Sequence, residues 1–231
     1  MFYLPVILLF FIFYFIVLGG LFFFLKIGLI SFAFQRLGLP PDTVFLLLMF
    51  SLLGSGINIP LKRLYSEGLM EVQIVDFFGW KFKIPAARYQ NTTILAVNLG
   101  GAVIPTAISL FLIFKWWPLA VYFMIAIVLV SFLVHRVARP VKGLGIATPA
   151  LFPPIAAAIV SLILGFLNPS GIQVVPVIAY VSGTLGTLIG ADLMNLKKIA
   201  DLGAPVASIG GAGTFDGVFL TGILAVILTS L

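Results

Sequence analysis

The chain has 231 residues, 62% hydrophobic and only 9% charged, with a net charge of +6. That balance excludes an ordinary soluble domain, in which charged residues approach a quarter of the total. The absence of cysteine excludes disulfides and thiolate metal sites, and a lone histidine, His135, excludes the paired-histidine zinc motif. The cations mostly flank apolar runs, which is an orientation signal for a membrane protein and gives no support for nucleic-acid binding. The pattern predicts an all-α polytopic membrane protein, one membrane domain over 1–231, whose first partner is the lipid bilayer.

In chain order, seven spans can be drawn, because each run approaches the ~20 apolar residues that cross a bilayer core. They are Leu4–Leu25, Thr43–Ile59, Thr93–Phe114, Pro118–Val134, Pro149–Leu167, Val174–Asn195 and Ala204–Leu231. The first lacks a basic leader and a small-residue cleavage site, so it reads as a retained span. The second is short and interrupted by Gly54, Ser55, Gly56 and Asn58; read as re-entrant, it leaves six spans. The prolines and glycines of the third and fifth runs read as kinks and close helix contacts.

Lys and Arg fall unevenly between the two sides. With seven spans, ten lie on one side and three (Lys26, Arg36 and Lys115) on the other; with a re-entrant second segment the split is twelve to one. Both counts place the loop between spans six and seven in the cytoplasm of a multi-pass plasma-membrane protein, with the C-terminus outside. Between spans two and three, residues 61–91 form the only sizeable polar region. Trp80, Phe82 and Ile84 alternate there with Lys81 and Lys83, the period of a half-buried strand. This predicts a small cytoplasmic β-hairpin turning at Asp76–Gly79.

Of seven acidic residues, five fall in connections; Asp192 and Asp216 do not. Asp192 precedes Lys197 by five residues, which on a regular helix places it about 7 Å inside the membrane surface. Asp216 enters from the same side on the next helix. A charged Asp at mid-bilayer costs ~3 kcal/mol or more, so intramembrane carboxylates are functional by default. Two that meet in low dielectric cannot both ionise comfortably, and one carboxylate beside one carboxylic acid is a general acid–base pair. Tyr180, Thr184, Thr187, Asp192 and Asn195 share an arc of roughly 120° on the sixth helix, a polar seam facing the pair. Gly210, Gly211 and Gly213 would admit a close neighbour, and Thr187 or Asn195 would orient Asp192.

The segments "TLIGADLMNL" and "ASIGGAGTFDGVFLTGILAVIL", with "LLGSGINIP" and "GIATPALFPP" upstream, resemble an uncharacterised prokaryotic integral-membrane family, domain of unknown function 1614. That resemblance implies no activity. Over roughly the last sixty residues the chain also resembles presenilin-like and signal-peptide-peptidase-like intramembrane aspartyl proteases. Those place one Asp near the cytoplasmic end of the sixth span and another in a Gly-x-Gly-Asp motif opening the seventh. Asp192 matches the first, with Ala191 in place of the usual tyrosine. Asp216 matches the second, with Gly213 as the first glycine and Phe215 in place of the second. The family's Pro-Ala-Leu string occurs here earlier in the chain, at Pro149, Ala150 and Leu151. The resemblance implies an intramembrane aspartyl hydrolase acting on transmembrane peptide segments, with Asp192 and Asp216 catalytic and no cofactor or metal.

Three other readings fit the same residues. A proton- or ion-coupled small-solute transporter or channel would use the same two carboxylates as proton or cation ligands. A noncatalytic scaffold would use the hairpin to recruit a partner. A serine hydrolase would need Ser55 or Ser182 beside His135, which sits at a basic, hydrated helix exit. No internal repeat is visible, so a homo-oligomer would have to supply any transporter symmetry.

Overall fold

The computed structural model describes residues 28–65, 74–77, 80–83, 92–141, 145–169, 171–199, 204–211 and 217–230. The first expected span, Leu4–Leu25, lies outside these. Helix α1 covers residues 28–36 and α2 Pro41–Ser55. Strand β1 (Asn58–Tyr65) follows, then the hairpin strands β2 (Ile74–Phe77) and β3 (Trp80–Lys83), and then β4 (Thr92–Asn98). A π-helical turn, Leu99–Val103, leads into α3 (Ile104–Lys115). Helix α4 is Ala120–Val137, β5 Arg139–Val141, β6 Gly145–Ala147 and α5 Phe152–Leu167. Helix α6 (Val175–Thr187) continues through a π turn, Leu188–Asp192, and a 3₁₀ turn into α7, Leu196–Ile199. Strand β7 (Val206–Ile209) and α8 (Gly217–Ser230) close the described chain.

Helix α6 is the axis of the bundle: every residue from Val175 to Thr187 except Leu185 is buried. Phe34 of α1, Phe123 and Val130 of α4, Leu164 of α5 and Phe219 of α8 belong to the same core. The outward faces are apolar too. Val121, Met124 and Val128 on α4, Ile163 and Phe166 on α5, and Phe111 and Phe114 on α3 are all exposed. Apolar surface on this scale marks contact with membrane or partner. Two continuous helices, Trp117–Val137 and Gly171–Ile199, are long and apolar enough to cross a membrane, while Leu99–Lys115, Phe152–Leu167 and Gly217–Ser230 are apolar but shorter. The described residues are therefore mostly helical, with two helices of membrane-crossing length where the sequence suggested six or seven spans.

Strands account for that difference. Thr93 to Asn98, expected as the start of a span, is β4, and Val206–Ile209 of the expected last span is β7. They form a three-stranded sheet, β1-β4-β7, with β1 antiparallel and β7 parallel to β4. Pro60 falls where the β1 register slips, an edge position that needs no ladder donor. The expected hairpin is present, and tighter than the predicted turn: Asp76 pairs with Lys81 and Phe77 with Trp80 inside the ladder. The prolines also act differently from expectation. Pro153 and Pro154 lie in the first turn of α5, where a missing N–H costs nothing, whereas Pro105 and Pro176 sit where a π turn and a 3₁₀ turn pass into α3 and α6.

Candidate functional site

The two π turns contribute to one small apolar cluster, Ala102 from the first and Leu188 from the second. At the end of α6 the Leu193 N–H reaches back to the Leu188 carbonyl, the five-residue closure that inserts one residue into the helix. Gly190 sits in this turn because a Cβ there would collide with the Ser131 carbonyl of α4. Asp192 ends the turn half-buried, and its Oδ2 accepts the Gly210 N–H at 2.9 Å. Gly210 and Gly211 adopt φ of +80° and +95°, which lets the chain turn sharply out of β7. A Cβ on Gly210 would clash with Ala102 and Gly101 of the first π turn. Ala102, Leu188, Ile209 and Val218 close a small apolar cluster over this junction.

A polar knot anchors the other side. Asn98, fully buried, caps the first π turn by accepting the Gly101 N–H at 2.7 Å. Its amide donates to the Ser55 carbonyl at 2.7 Å and to Asn58 Oδ1 at 3.0 Å. Ser208 Oγ donates to the same Asn58 oxygen at 2.6 Å, and Ser51 Oγ to the Gly100 carbonyl at 2.8 Å. The end of α2, the sheet and both ends of the junction are thus tied through side chains whose polar groups are satisfied.

Towards the cationic end, Asn195 is buried and its Nδ2 lies 2.9 Å from the Ala191 carbonyl, 3.3 Å from the Gly190 carbonyl and 3.3 Å from His135 Nδ1. His135 Nδ1 is itself 3.3 Å from the Gly190 carbonyl, and Lys198 donates to Asn195 Oδ1 at 3.1 Å. Two amide hydrogens cannot serve three acceptors, so the tautomer of His135 and the aim of Asn195 are linked. His135 lies in the last turn of α4, half-buried against the π turn.

Above the junction, α6 carries a row of buried hydroxyls. Tyr180 OH, Thr184 Oγ1 and Thr187 Oγ1 make no well-formed hydrogen bond, nor does Ser131 Oγ on the facing side of α4. Tyr180 OH lies close enough to Thr184 for the two hydroxyls to interact with each other. Thr184 Oγ1 and the Tyr180 ring border Gly222 of α8, where any Cβ would strike them. Their neighbours Ser182 and Thr221 are satisfied, Ser182 by Ala179 and Ser161, and Thr221 by the Gly217 carbonyl.

The family described as "Protein of unknown function (DUF1614)" matches residues 52–228, well over half of the chain. The chain belongs to the DUF1614 family. No curated protein and no solved structure matches it. The DUF1614 match contains both π turns, the sheet, the hydroxyl file and His135, so the junction lies wholly inside the family's region.

For this DUF1614 protein the aspartyl-protease expectation is overturned. That chemistry needs carboxylates buried together, yet among the described residues no Asp, Glu, His, Lys or Arg is buried. Nor do three His, Cys, Asp or Glu residues gather among them. The hydrolase and peptidase assignments fall with it. Asp216 and Gly213 lie outside the described residues. Of the other expected site residues, Asp192 and Gly211 flank the same turn, whereas Tyr180 and Thr187 line the hydroxyl file. Asn195 faces His135 and the Gly190 and Ala191 carbonyls of the π turn. Ser55 and Ser182 are not among the hydrogen-bond partners of His135, which leaves the serine reading without its pair. Sequence reasoning missed Ser131 and the Asn58–Asn98–Ser208 knot. A lone serine in "VLVSFLV" and an asparagine just before "LGG" were the available signals.

Proposed function

We propose that the protein is a proton- or ion-coupled carrier for a small polar solute, in which Asp192, with Asp216, takes up the proton or cation. The observation that carries this reading is the row of buried hydroxyls on α6, Tyr180, Thr184 and Thr187, on the helix that leads to Asp192, with Ser131 of α4 likewise buried. An unsatisfied buried hydroxyl costs ~1–3 kcal/mol, so a run of them is retained where water or a solute supplies the missing bonds. Neutral oxygens leading to a carboxylate at an irregular helix turn suit the coordination of a dehydrated cation or polar solute.

The distribution of cations supports a multi-pass arrangement in the plasma membrane. Leu64, Leu95, Ile146, Leu196, Ile199 and Ala207 pack together, which draws the basic residues of β1, β5 and α7 to one end. Lys115 bonds the Gly38 carbonyl, two residues from Arg36, at 2.8 Å. The positive-inside rule then puts the α7 end in the cytoplasm and the C-terminus outside.

Proteoliposomes containing the purified protein and an internal pH-sensitive dye provide the test. A panel of small polar solutes and monovalent cations should reveal one whose entry moves protons or charge, and Asp192→Asn should abolish the coupled movement. Wild-type vesicles indistinguishable from protein-free vesicles across the panel, with the reconstituted protein folded, would overturn the proposal.

A further inference from the structure

A second feature lies away from the junction, between α2 and α3. Leu39, Leu47 and Leu53 on one side and Leu99, Ile104 and Phe111 on the other line an open-sided cavity of about 760 Å³. Its volume falls within the ~300–1,000 Å³ of small-molecule sites, but its walls offer almost no hydrogen-bonding group, Thr43 being the polar exception. It follows α2, a helix of about 22 Å, from Leu39 to Ile57.

The two ends of the cavity differ. At the Leu39 end, Lys115 Nζ sits 2.8 Å from the Gly38 carbonyl, and the exposed Arg36 stacks 5.0 Å from the Phe32 ring. Asp42, exposed in the first turn of α2, is the one acid in this neighbourhood among the described residues, so the described mouth keeps a positive excess. Phe114 and Trp117 stack there at 6.3 Å, both largely exposed. Aromatic rings beside Lys at a helix end mark the headgroup level of a bilayer. From that level α3 leads back toward Ile104, so the alkyl-lined part of the cavity lies at acyl-chain depth.

We infer that this cavity holds an acyl chain of an anionic phospholipid, its phosphate set against Lys115 and Arg36. The walls exclude a polar ligand, and the cationic mouth selects among lipids that all possess suitable tails. A juxtamembrane cation favours an anionic headgroup by roughly fivefold. The inference requires only that the protein sits in a bilayer; it holds whether or not a solute is carried.

Photo-crosslinking of the full chain tests it. Phe111→benzoylphenylalanine places the reactive ketone on the cavity wall, and the protein is irradiated in vesicles of equal phosphatidylglycerol and phosphatidylcholine. The expected product is a phosphatidylglycerol adduct enriched several-fold over its share of the bilayer. Lys115→Gln with Arg36→Gln should bring that enrichment back to the bulk ratio while adducts still form, which also shows that the variant is folded around the cavity. Adducts in the bulk ratio with the wild-type cations would mean ordinary lipid contact and overturn the inference. An intrachain adduct to residues 1–25 would mean that the protein's own N-terminal segment fills the cavity, and a crosslinked dimer would assign it to a second copy. Either result also overturns the inference.

Discussion

Asp192 accepts the backbone N–H of Gly210 at 2.9 Å, so the carboxylate at the end of α6 holds the turn by which β7 leaves the sheet. An ionised acceptor makes this bond stronger than a neutral one. Gly210 in turn presses on Gly101 and Ala102 of the first π turn. A change of charge at Asp192 therefore bears directly on the contact between the sheet and the helix bundle.

Asp192→Asn retains the shape of the side chain and an acceptor oxygen but removes the charge. The bond should weaken by about 1 kcal/mol, the difference between charged and neutral acceptors. Thermal unfolding in detergent should show a modest drop, while proton-linked flux in vesicles is lost entirely. Equal losses of both would mean that Asp192 is a structural clasp and no more.

The hydroxyl file separates stability from function in the opposite sense. Thr184→Val and Thr187→Val remove buried oxygens that make no well-formed hydrogen bond and put a methyl of similar size in their place. Replacement of an unsatisfied buried polar group should be neutral or stabilising by ~1 kcal/mol. Flux should nevertheless fall, because the lost oxygens would be solute contacts. Variants that are both less stable and fully active would show that hidden water already satisfies the file for structural reasons.

Much of this arrangement was legible in the sequence, and the parts that were not share a cause. The hairpin could be read from the alternation at Trp80–Lys83, since period two is a strong local signal when polar and apolar residues take turns. Strand β4 carried no such signal. "TTILAVN" runs without a break into the apolar "LGGAVIP", and a short apolar strand joined to an apolar helix has the periodicity of neither. Its partner β7 lies more than a hundred residues further on, and the parallel pairing of Ile94 with Val206 depends on that distant segment. The arc of Tyr180, Thr184 and Thr187 was predictable because a regular helix carries it; the position of Asp192 was not, because a π turn intervenes. Asn58 was visible only as a residue that weakened a span, and its bond to Ser208 spans 150 positions.

Close approach at glycine gives a further expectation. Gly100 faces the Ser51 carbonyl and the Ser55 amide of α2, and Gly190 faces the Ser131 carbonyl; a Cβ at either meets backbone and cannot be accommodated by a rotamer change. Gly100→Ala and Gly190→Ala should each lower stability by ~1–3 kcal/mol, the usual cost of overpacking. Gly56→Ala is the control, as its nearest neighbour is the Leu53 carbonyl at 3.8 Å. Unfolding midpoints measured side by side should separate the first two from the third.

The knot around Asn98 should be the least forgiving polar site in the described chain. Asn98→Ala strips partners from the Gly101 N–H and the Ser55 carbonyl in a setting with no exposed surface at Asn98. Each group left unsatisfied costs ~1–3 kcal/mol, so the combined loss should exceed that of any single hydrogen bond. Ser208→Ala removes one donor to Asn58, whose oxygen still accepts from Asn98, and should cost ~1 kcal/mol. In Asn98→Ala the cost of adding Ser208→Ala should rise, because Asn58 Oδ1 then loses its remaining donor and the two sites share that acceptor. A double-mutant cycle on unfolding free energies measures that coupling. Strict additivity would mean that the knot is a set of independent bonds, and the junction would then lack the shared fastening that links α2, the sheet and the first π turn.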